Sequence, residues 1–319
     1  MRHVLLAALL AACVSPEPVV GPNAPTGHSV VLVTLDGVRW QELFLGEDPL
    51  LVREPKPIFE RFWAELAPRG QVYGDPTNGE DVRAATATNA SLPAYMSLYA
   101  EVAQGCFTNE CGRIGVRTLA DRLHDELGFA REQVQVIAAW RKLELAVSSR
   151  DEVAEVEAGA VNAPGEGHAP ERALIAEGYE SDRLPVLALR EKLPERPRFL
   201  HLALWDSDRY GHQGDYARYV NVLRAYDRLL IEISEGLDDQ TALVVTTDHG
   251  RGIADQWSEH GPQLPASSRV WAFVLPPRAG DFTLEAPRAR RFDHHDVRYT
   301  IEALFGLGTP GSKGFVASQ

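Results

Sequence analysis

Residues Ser29–Asp36 read SVVLVTLD, an apolar run that ends on an acid. A strand with one wet face alternates apolar and polar residues. This run does not, so it suits a sheet covered on both faces, the usual setting of parallel strands. Two later runs have the same form. Arg198–Trp205 (RFLHLALW) leads into Asp206-Ser207-Asp208, and Ala242–Thr247 (ALVVTT) leads into Asp248-His249. Gln133–Ala139 and Val270–Leu275 (VWAFVL) also read as strands. Apolar residues at helical spacing fall between them, at Ile58–Leu66, Val116–Leu127, Leu184–Leu193, Tyr216–Ile233 and Asp296–Leu307. Strands alternating with helices predict an α/β fold, a three-layer α/β/α sandwich around a mostly parallel central sheet. Asp151–Ser181, rich in Ala, Glu and Gly, has the weakest pattern; it reads as a long loop or small cap near the site, or as plain surface.

In such sheets ligands sit beyond the carboxyl ends of the strands. One strand ending in Asp is commonplace, because Asp caps helices and opens turns. Three such ends, two with a histidine close behind, need another reason. Asp208-Arg209-Tyr210-Gly211-His212 has the form DxxGH. Asp248-His249-Gly250 follows the third run, and His260, in Trp257–Gly261 (WSEHG), lies eleven residues after His249. With Asp36 these make three carboxylates and three imidazoles. That mixed set suits Zn²⁺, also accepts Mn²⁺ or Fe, and is large enough for two ions.

LDG, DxxGH, DHG and a later HG, in this order on an alternating α/β chain, resemble the alkaline phosphatase superfamily. Within it the chain looks most like type I phosphodiesterases and nucleotide pyrophosphatases and their phosphomonoesterase relatives. The DRYGH stretch and the short spacing to His260 also look like the cofactor-independent phosphomutases. The resemblance covers nearly the whole chain after residue 28, on a handful of short motifs. It implies an alkaline phosphatase-like sandwich and a two-metal phosphoric ester hydrolase, either phosphomonoesterase or phosphodiesterase. It also implies a metal-activated serine that forms a phosphoseryl intermediate. One ion then falls to Asp36, Asp248, His249 and the serine oxygen, the other to Asp208, His212 and His260. Asp206 rivals Asp208, and His294 or His295 rivals His260.

The nucleophile is expected at a helix start after the first Asp. In Ala87–Tyr95 (ATNASLPAY), Ser91-Leu92-Pro93 fits the family pattern best, with Ser91 as the capping residue of the helix that follows. Thr88 and Thr86 are the alternatives. A helix N-terminus also favours an anionic phosphoryl group. The family often binds phosphoryl oxygens through an Asn some way after the nucleophile; Asn109, eighteen residues on, is the substrate-binding candidate. Arg141, Lys142 and Arg251 are cations near the strand ends with no assigned role.

The chain has 319 residues, with 32 Lys and Arg against 45 Asp and Glu, a net charge of −13. Spread negative charge works against sequence-independent contact with a polyanion, so no nucleic-acid-binding surface is expected. A small phosphorylated substrate needs only a local positive site. At the N-terminus, Met1-Arg2-His3 and VLLAALLAAC describe an export signal, too short to span a bilayer as a finished helix. Leu10-Ala11-Ala12-Cys13 resembles a bacterial lipobox, which implies cleavage before Cys13 and lipidation of its thiol. Residue 14 is Val rather than the Asp of inner-membrane retention. The expected location is therefore the periplasm-facing outer membrane, with the lipid as anchor. Residues 1–12 are then the signal peptide, 13–27 a Pro-rich tether, and 28–319 a single catalytic domain. In an exported protein Cys106 and Cys111 are expected to be oxidised together. A metal site there would lack a second thiolate pair.

Three other readings remain. A sulfatase would carry a formylglycine motif with Arg four residues after the nucleophile, where this chain has Tyr95. A phosphomutase would need an intracellular sugar phosphate and usually an inserted cap. A non-catalytic lipoprotein with a retained metal site belongs to a different class, and metal content separates it from the enzyme readings.

Overall fold

The computed structural model describes residues 26–101, 105–159, 181–308 and 314–316. Its strands are β1 (Ser29–Leu35), β2 (Gln71–Tyr73), β3 (Val82–Arg83), β4 (Val134–Ala138), β5 (Glu155–Ala158), β6 (Phe199–Leu204), β7 (Thr241–Thr246), β8 (Ala272–Leu275) and β9 (Phe292–Asp293). Its α-helices are α1 (Trp40–Phe44), α2 (Ser91–Tyr99), α3 (Leu119–Leu127), α4 (Glu144–Val147), α5 (Arg183–Lys192), α6 (Asp206–His212), α7 (Tyr216–Gly236) and α8 (His294–Leu304).

Seven strands form one sheet in the order β2-β8-β7-β1-β6-β4-β5, and β3 pairs with β9 apart from it. β1 is parallel to both β6 and β7, and β4 is parallel to β6 and β5. β8 runs antiparallel to both of its neighbours. The sandwich is as expected, with one reversed strand. The VWAFVL run is apolar throughout, and such a run says nothing about strand direction.

β1 occupies the middle because it is apolar on both sides. Val30 and Leu32 join one core layer, with residues of α2, α3 and α8. Val31, Val33 and Leu35 join the other, with residues of α5 and α7. The same position serves the site. β6 and β7 lie on either side of β1 with Leu204 opposite Leu35 and Thr246 opposite Thr34. Three strands thus end side by side, and the residues that follow them, Asp36, Asp206 to Asp208 and Asp248, gather at one edge.

Local sequence sets most helix limits. Thr118 and Asp121 form a capping box, so α3 begins at Leu119 rather than at Val116. Asp293 and Asp296 do the same for α8, which begins at His294. Ile58–Leu66 departs from expectation. It holds a single π-helical turn over Phe62–Leu66, followed by a 3-10 turn over Ala67–Arg69. Pro68 has no N–H and cannot continue an α-helix there. β5 lies in the weakly patterned Asp151–Ser181 stretch; residues 160–180 of that stretch lie outside the described residues, as do the expected signal, Cys13 and most of the tether. Cys106 and Cys111 are joined by a disulfide, with Cα atoms 5.6 Å apart.

Candidate metal centre

Asp36 leaves the end of β1 almost fully buried. The turn after it is tight: Gly37 has φ +65°, and a Cβ there would lie 2.6 Å from Asp208 Oδ1. Gly37 N donates to Asp248 Oδ1 at 3.0 Å, and His249 N donates to the same oxygen at 2.8 Å. The other oxygen, Asp248 Oδ2, has no hydrogen-bond partner, and neither has Asp36 Oδ1. Both orphans face His249 Nε2, at 3.4 Å and 3.5 Å.

The imidazole is oriented to match. His249 Nδ1 lies 3.0 Å from the Gly250 carbonyl, which only accepts, so Nδ1 carries the proton. Nε2 is left with its lone pair toward the two carboxylates. Ser91 Oγ lies 3.3 Å from the same nitrogen. Two unpartnered carboxyl oxygens and a ring nitrogen lone pair thus converge.

A second set adjoins the first. His212 Nε2 is 3.2 Å from Asp208 Oδ2 and 3.0 Å from His260 Nε2. His260 Nδ1 donates to the Asn89 carbonyl at 2.7 Å, so its Nε2 also offers a lone pair. Asn89 has φ +47°, the left-handed region, and this conformation goes with a carbonyl aimed at the ring. His260 stacks on His249 with ring centroids 3.9 Å apart. Two groups therefore meet here: Asp36, Asp248 and His249, and Asp208, His249 and His260. Two ligand atoms bonded at 2.0–2.1 Å to a tetrahedral zinc lie about 3.3 Å apart. The spacings from 3.0 to 3.5 Å match that value, and the donor set fits divalent cations.

Charge leads to the same place. Burial, then the neighbouring Asp248 and Asp208 charges, push the Asp36 carboxyl well above its usual range. Burial and Asp208 raise Asp248 to about 7. Burial lowers His249 to about 4 and, with His249 beside it, His260 to about 3, so both rings are neutral. A neutral ring is the ligand form. The sign follows for the metal-free protein. A carboxyl with a raised folded pKa binds more protons folded than unfolded, so its contribution to stability falls as pH rises from about 4 to about 7. Metal binding needs the carboxylates ionised, so affinity rises over the same window. Melting curves of metal-stripped protein at pH 5 and pH 7.5 should show a larger loss for wild type than for Asp248→Asn. Equal losses would remove Asp248 as the source.

Other candidates have different positions. Ser91 is the first helical residue of α2 rather than its cap; Ala90 precedes the helix with extended backbone. The orphan N–H of Leu92 goes instead to Asn109 Oδ1, at 2.9 Å, which leaves the Asn109 Nδ2 hydrogens as its remaining donors. Lys142 Nζ binds the Asn109 carbonyl and Glu110 Oε1, both at 2.8 Å, and braces the disulfide loop. Arg141 is exposed. Thr86 and Thr88 bond each other. Asp206 faces Asp182, whose carboxylate accepts from Trp205 N and Asp206 N while Asp206 Oδ2 accepts from Asp182 N. This pair holds the start of α6, outside the donor clusters. His294 is buried between Ser97 Oγ and the Thr247 carbonyl, and His295 pairs with Asp293.

Arg251, which sequence left without a role, is fully buried. It pairs with the Asp208 carboxylate, and its Nη2 donates to the Asp208 carbonyl at 2.9 Å. A Cβ on Gly211 would lie 2.3 Å from its guanidinium carbon. The glycines of LDG and DxxGH therefore make room for the arginine of DHGRG. Burial opposes ionisation of Asp208, but Arg251 and then His212 outweigh it and hold that carboxyl well below its usual range.

Residues 180–262, which include Asp208, His212, Asp248, His249 and His260, match the Metalloenzyme superfamily. A phosphopentomutase from Acetivibrio thermocellus is 39% identical over 51 residues, which span 16% of this chain and 13% of that protein. Among solved structures, the soluble domain of lipooligosaccharide phosphoethanolamine transferase A from Neisseria meningitidis aligns with a TM-score of 0.56 at 13% identity, over 89% of this chain and 90% of that one. A protein in the alkaline phosphatase superfamily from Vibrio parahaemolyticus gives 0.54 at 13%, over 90% and 68%. A 2-O GAG sulfatase gives 0.57 at 11%, over 89% and 72%. The chain has the alkaline phosphatase-like fold, and its match to the Metalloenzyme superfamily spans all three histidine motifs. No helix among the described residues is long and apolar enough to cross a membrane.

Proposed function

We propose that this protein is a two-metal phosphoric ester hydrolase with Ser91 as its nucleophile. The observation that carries the reading is the convergence of Ser91 Oγ with His249 Nε2, within 3.3 Å, beside two unpartnered carboxylate oxygens. Asp36, Asp248, His249 and the Ser91 oxygen would hold one ion; Asp208, His212 and His260 would hold the other. Zinc is the first candidate, with manganese or iron next. Bound there, the cations supply Lewis-acid stabilisation of phosphoryl charge and lower the pKa of the serine hydroxyl.

The chain's own groups do the rest. Ser91 Oγ bonds to phosphorus as the P–O bond to the leaving group breaks, and the proton lost by the serine balances the one the departing alcohol gains, giving a phosphoseryl enzyme. Water then breaks the new P–O bond and restores the serine. Asn109 Nδ2 donates to a non-bridging oxygen, and the start of α2 favours the anion. The substrate is a small phosphorylated molecule, monoester or diester. Transfer to an acceptor other than water is the second reading; one fold relative is a phosphoethanolamine transferase. It follows from the same intermediate. Sulfate ester hydrolysis is less well supported, because Tyr95 stands where a formylglycine motif needs Arg.

Assay of p-nitrophenyl phosphate, bis-p-nitrophenyl phosphate, p-nitrophenyl phosphocholine and the sulfate ester tests the class. Turnover of a phosphoric ester is expected; turnover of the sulfate alone would contradict it. His260→Ala should lose one ion and most activity, while His294→Ala should keep both ions and lose stability. The reverse pattern in metal analysis would reassign the ligand.

The lipobox-like Leu10–Cys13 supports attachment through a lipid on Cys13 at the periplasmic face of the outer membrane. Cys13→Ser should release the protein into the soluble fraction.

A further inference from the structure

β6 is apolar except for His201, which is fully buried in the middle of the sheet. Thr34, on β1, is buried on the same side of the sheet. α2 packs over that side and presents Tyr95 and Tyr99, one helical turn apart. Four hydrogen bonds link these residues. Tyr95 Oη donates to Asp36 Oδ2 at 3.4 Å, and Thr34 Oγ1 donates to Tyr95 Oη at 3.4 Å. His201 Nε2 is 3.0 Å from Thr34 Oγ1, and His201 Nδ1 is 2.7 Å from Tyr99 Oη.

Each hydroxyl has one hydrogen, so the direction of the chain is fixed. Tyr95 Oη gives its one hydrogen to Asp36 Oδ2, so its oxygen is left to accept from Thr34. Thr34 gives its hydrogen to Tyr95 and must accept from His201 Nε2–H. Burial holds the His201 ring neutral, its pKa pushed down to about 3. Nδ1 is then an acceptor, and Tyr99 donates to it. Every hydrogen in the chain points toward Asp36. A network that served only to satisfy core groups would have no reason to end on a carboxylate of the metal centre.

We infer that Tyr99, His201, Thr34 and Tyr95 form a one-directional hydrogen-bond chain that positions the Asp36 carboxylate for its cation. This rests on the reading of Asp36 as a ligand. Oxygen Oδ2 is held by Tyr95, which leaves Oδ1, the oxygen nearest His249, to face the ion. Tyr95 is the positioning residue in contact with Asp36, and His201 acts through Thr34 and Tyr95. Groups that orient a ligand in this way typically change metal affinity 10–100-fold when removed.

The test is Zn²⁺ affinity of the full protein by chelator competition, with calorimetry to confirm folding. Tyr95→Phe, which removes one oxygen, should weaken binding of the first ion about 10-fold. Tyr99→Phe should weaken it less, in the same direction. The double variant should bind no worse than Tyr95→Phe, because the chain is already cut at its last link. Wild-type affinity in Tyr95→Phe, or multiplying effects in the double variant, would overturn the inference. Asp36→Asn separates the premise: if it leaves affinity unchanged, Asp36 is no ligand and the functional reading itself fails. Should the Phe variants not fold, the wild type still decides. Its ¹⁵N histidine spectrum must show His201 protonated on Nε2 and not on Nδ1; the opposite tautomer contradicts the chain.

Discussion

Arg251→Ala should destabilise the metal-free protein by about 3–5 kcal/mol, the usual cost of removing one partner of a buried ion pair. The side chains of Arg251 and Asp208 are 0% and 5% exposed, so water cannot replace the lost guanidinium. The loss strands Asp208 in a site that already holds Asp36 and Asp248. Loaded metal should restore part of the stability, because a cation on Asp208 supplies the missing charge. Chemical denaturation of metal-stripped and metal-loaded variant protein measures both terms. A loss below about 1 kcal/mol in the stripped protein, the level of a surface pair, would mean that Asp208 finds other compensation. Gly211→Ala tests the packing side of the same contact, since its Cβ would collide with the arginine.

Ser91→Ala should lower turnover of the best phosphoric ester by about 10³-fold or more, the scale seen when a nucleophile is deleted from a covalent mechanism. Folding should be unaffected. Ser91 makes no capping bond, and Asn109 already satisfies the Leu92 amide at the helix start. That separation matters for interpretation. If Ser91 were the cap, loss of activity and loss of helix stability would arrive together. Rapid quenching of the wild type should trap phosphate on Ser91. Full turnover by Ser91→Ala would move the nucleophile elsewhere, with Thr88 and Thr86 the next candidates.

Much of the fold was legible because β1, β6 and β7 are buried on both faces, and their apolar runs are long enough to show it. β2, β3, β5 and β9 were not, since two to four residues carry no period. The candidate site was legible to the extent that its donors follow strands directly. Asp36, Asp208, Asp248 and His249 sit within four residues of a strand end, and one turn of α6 carries His212 on from Asp208. His260 was harder to choose over His294, because its selection depends on Asn89, whose φ of +47° has no signature in sequence. Arg251 was opaque for a related reason. Its burial is made by two glycines from other motifs, and only the folded chain shows that they share one neighbour. The tyrosine and histidine chain did leave a trace, a lone His201 inside an apolar strand, but its partners lie on β1 and α2.

Metal content of the purified protein tests the central claim most directly. Elemental analysis should find two divalent ions per chain, falling to one in Asp208→Asn and again to one in Asp36→Asn. A wild-type protein that retains no ion after purification in metal-supplemented buffer would contradict it.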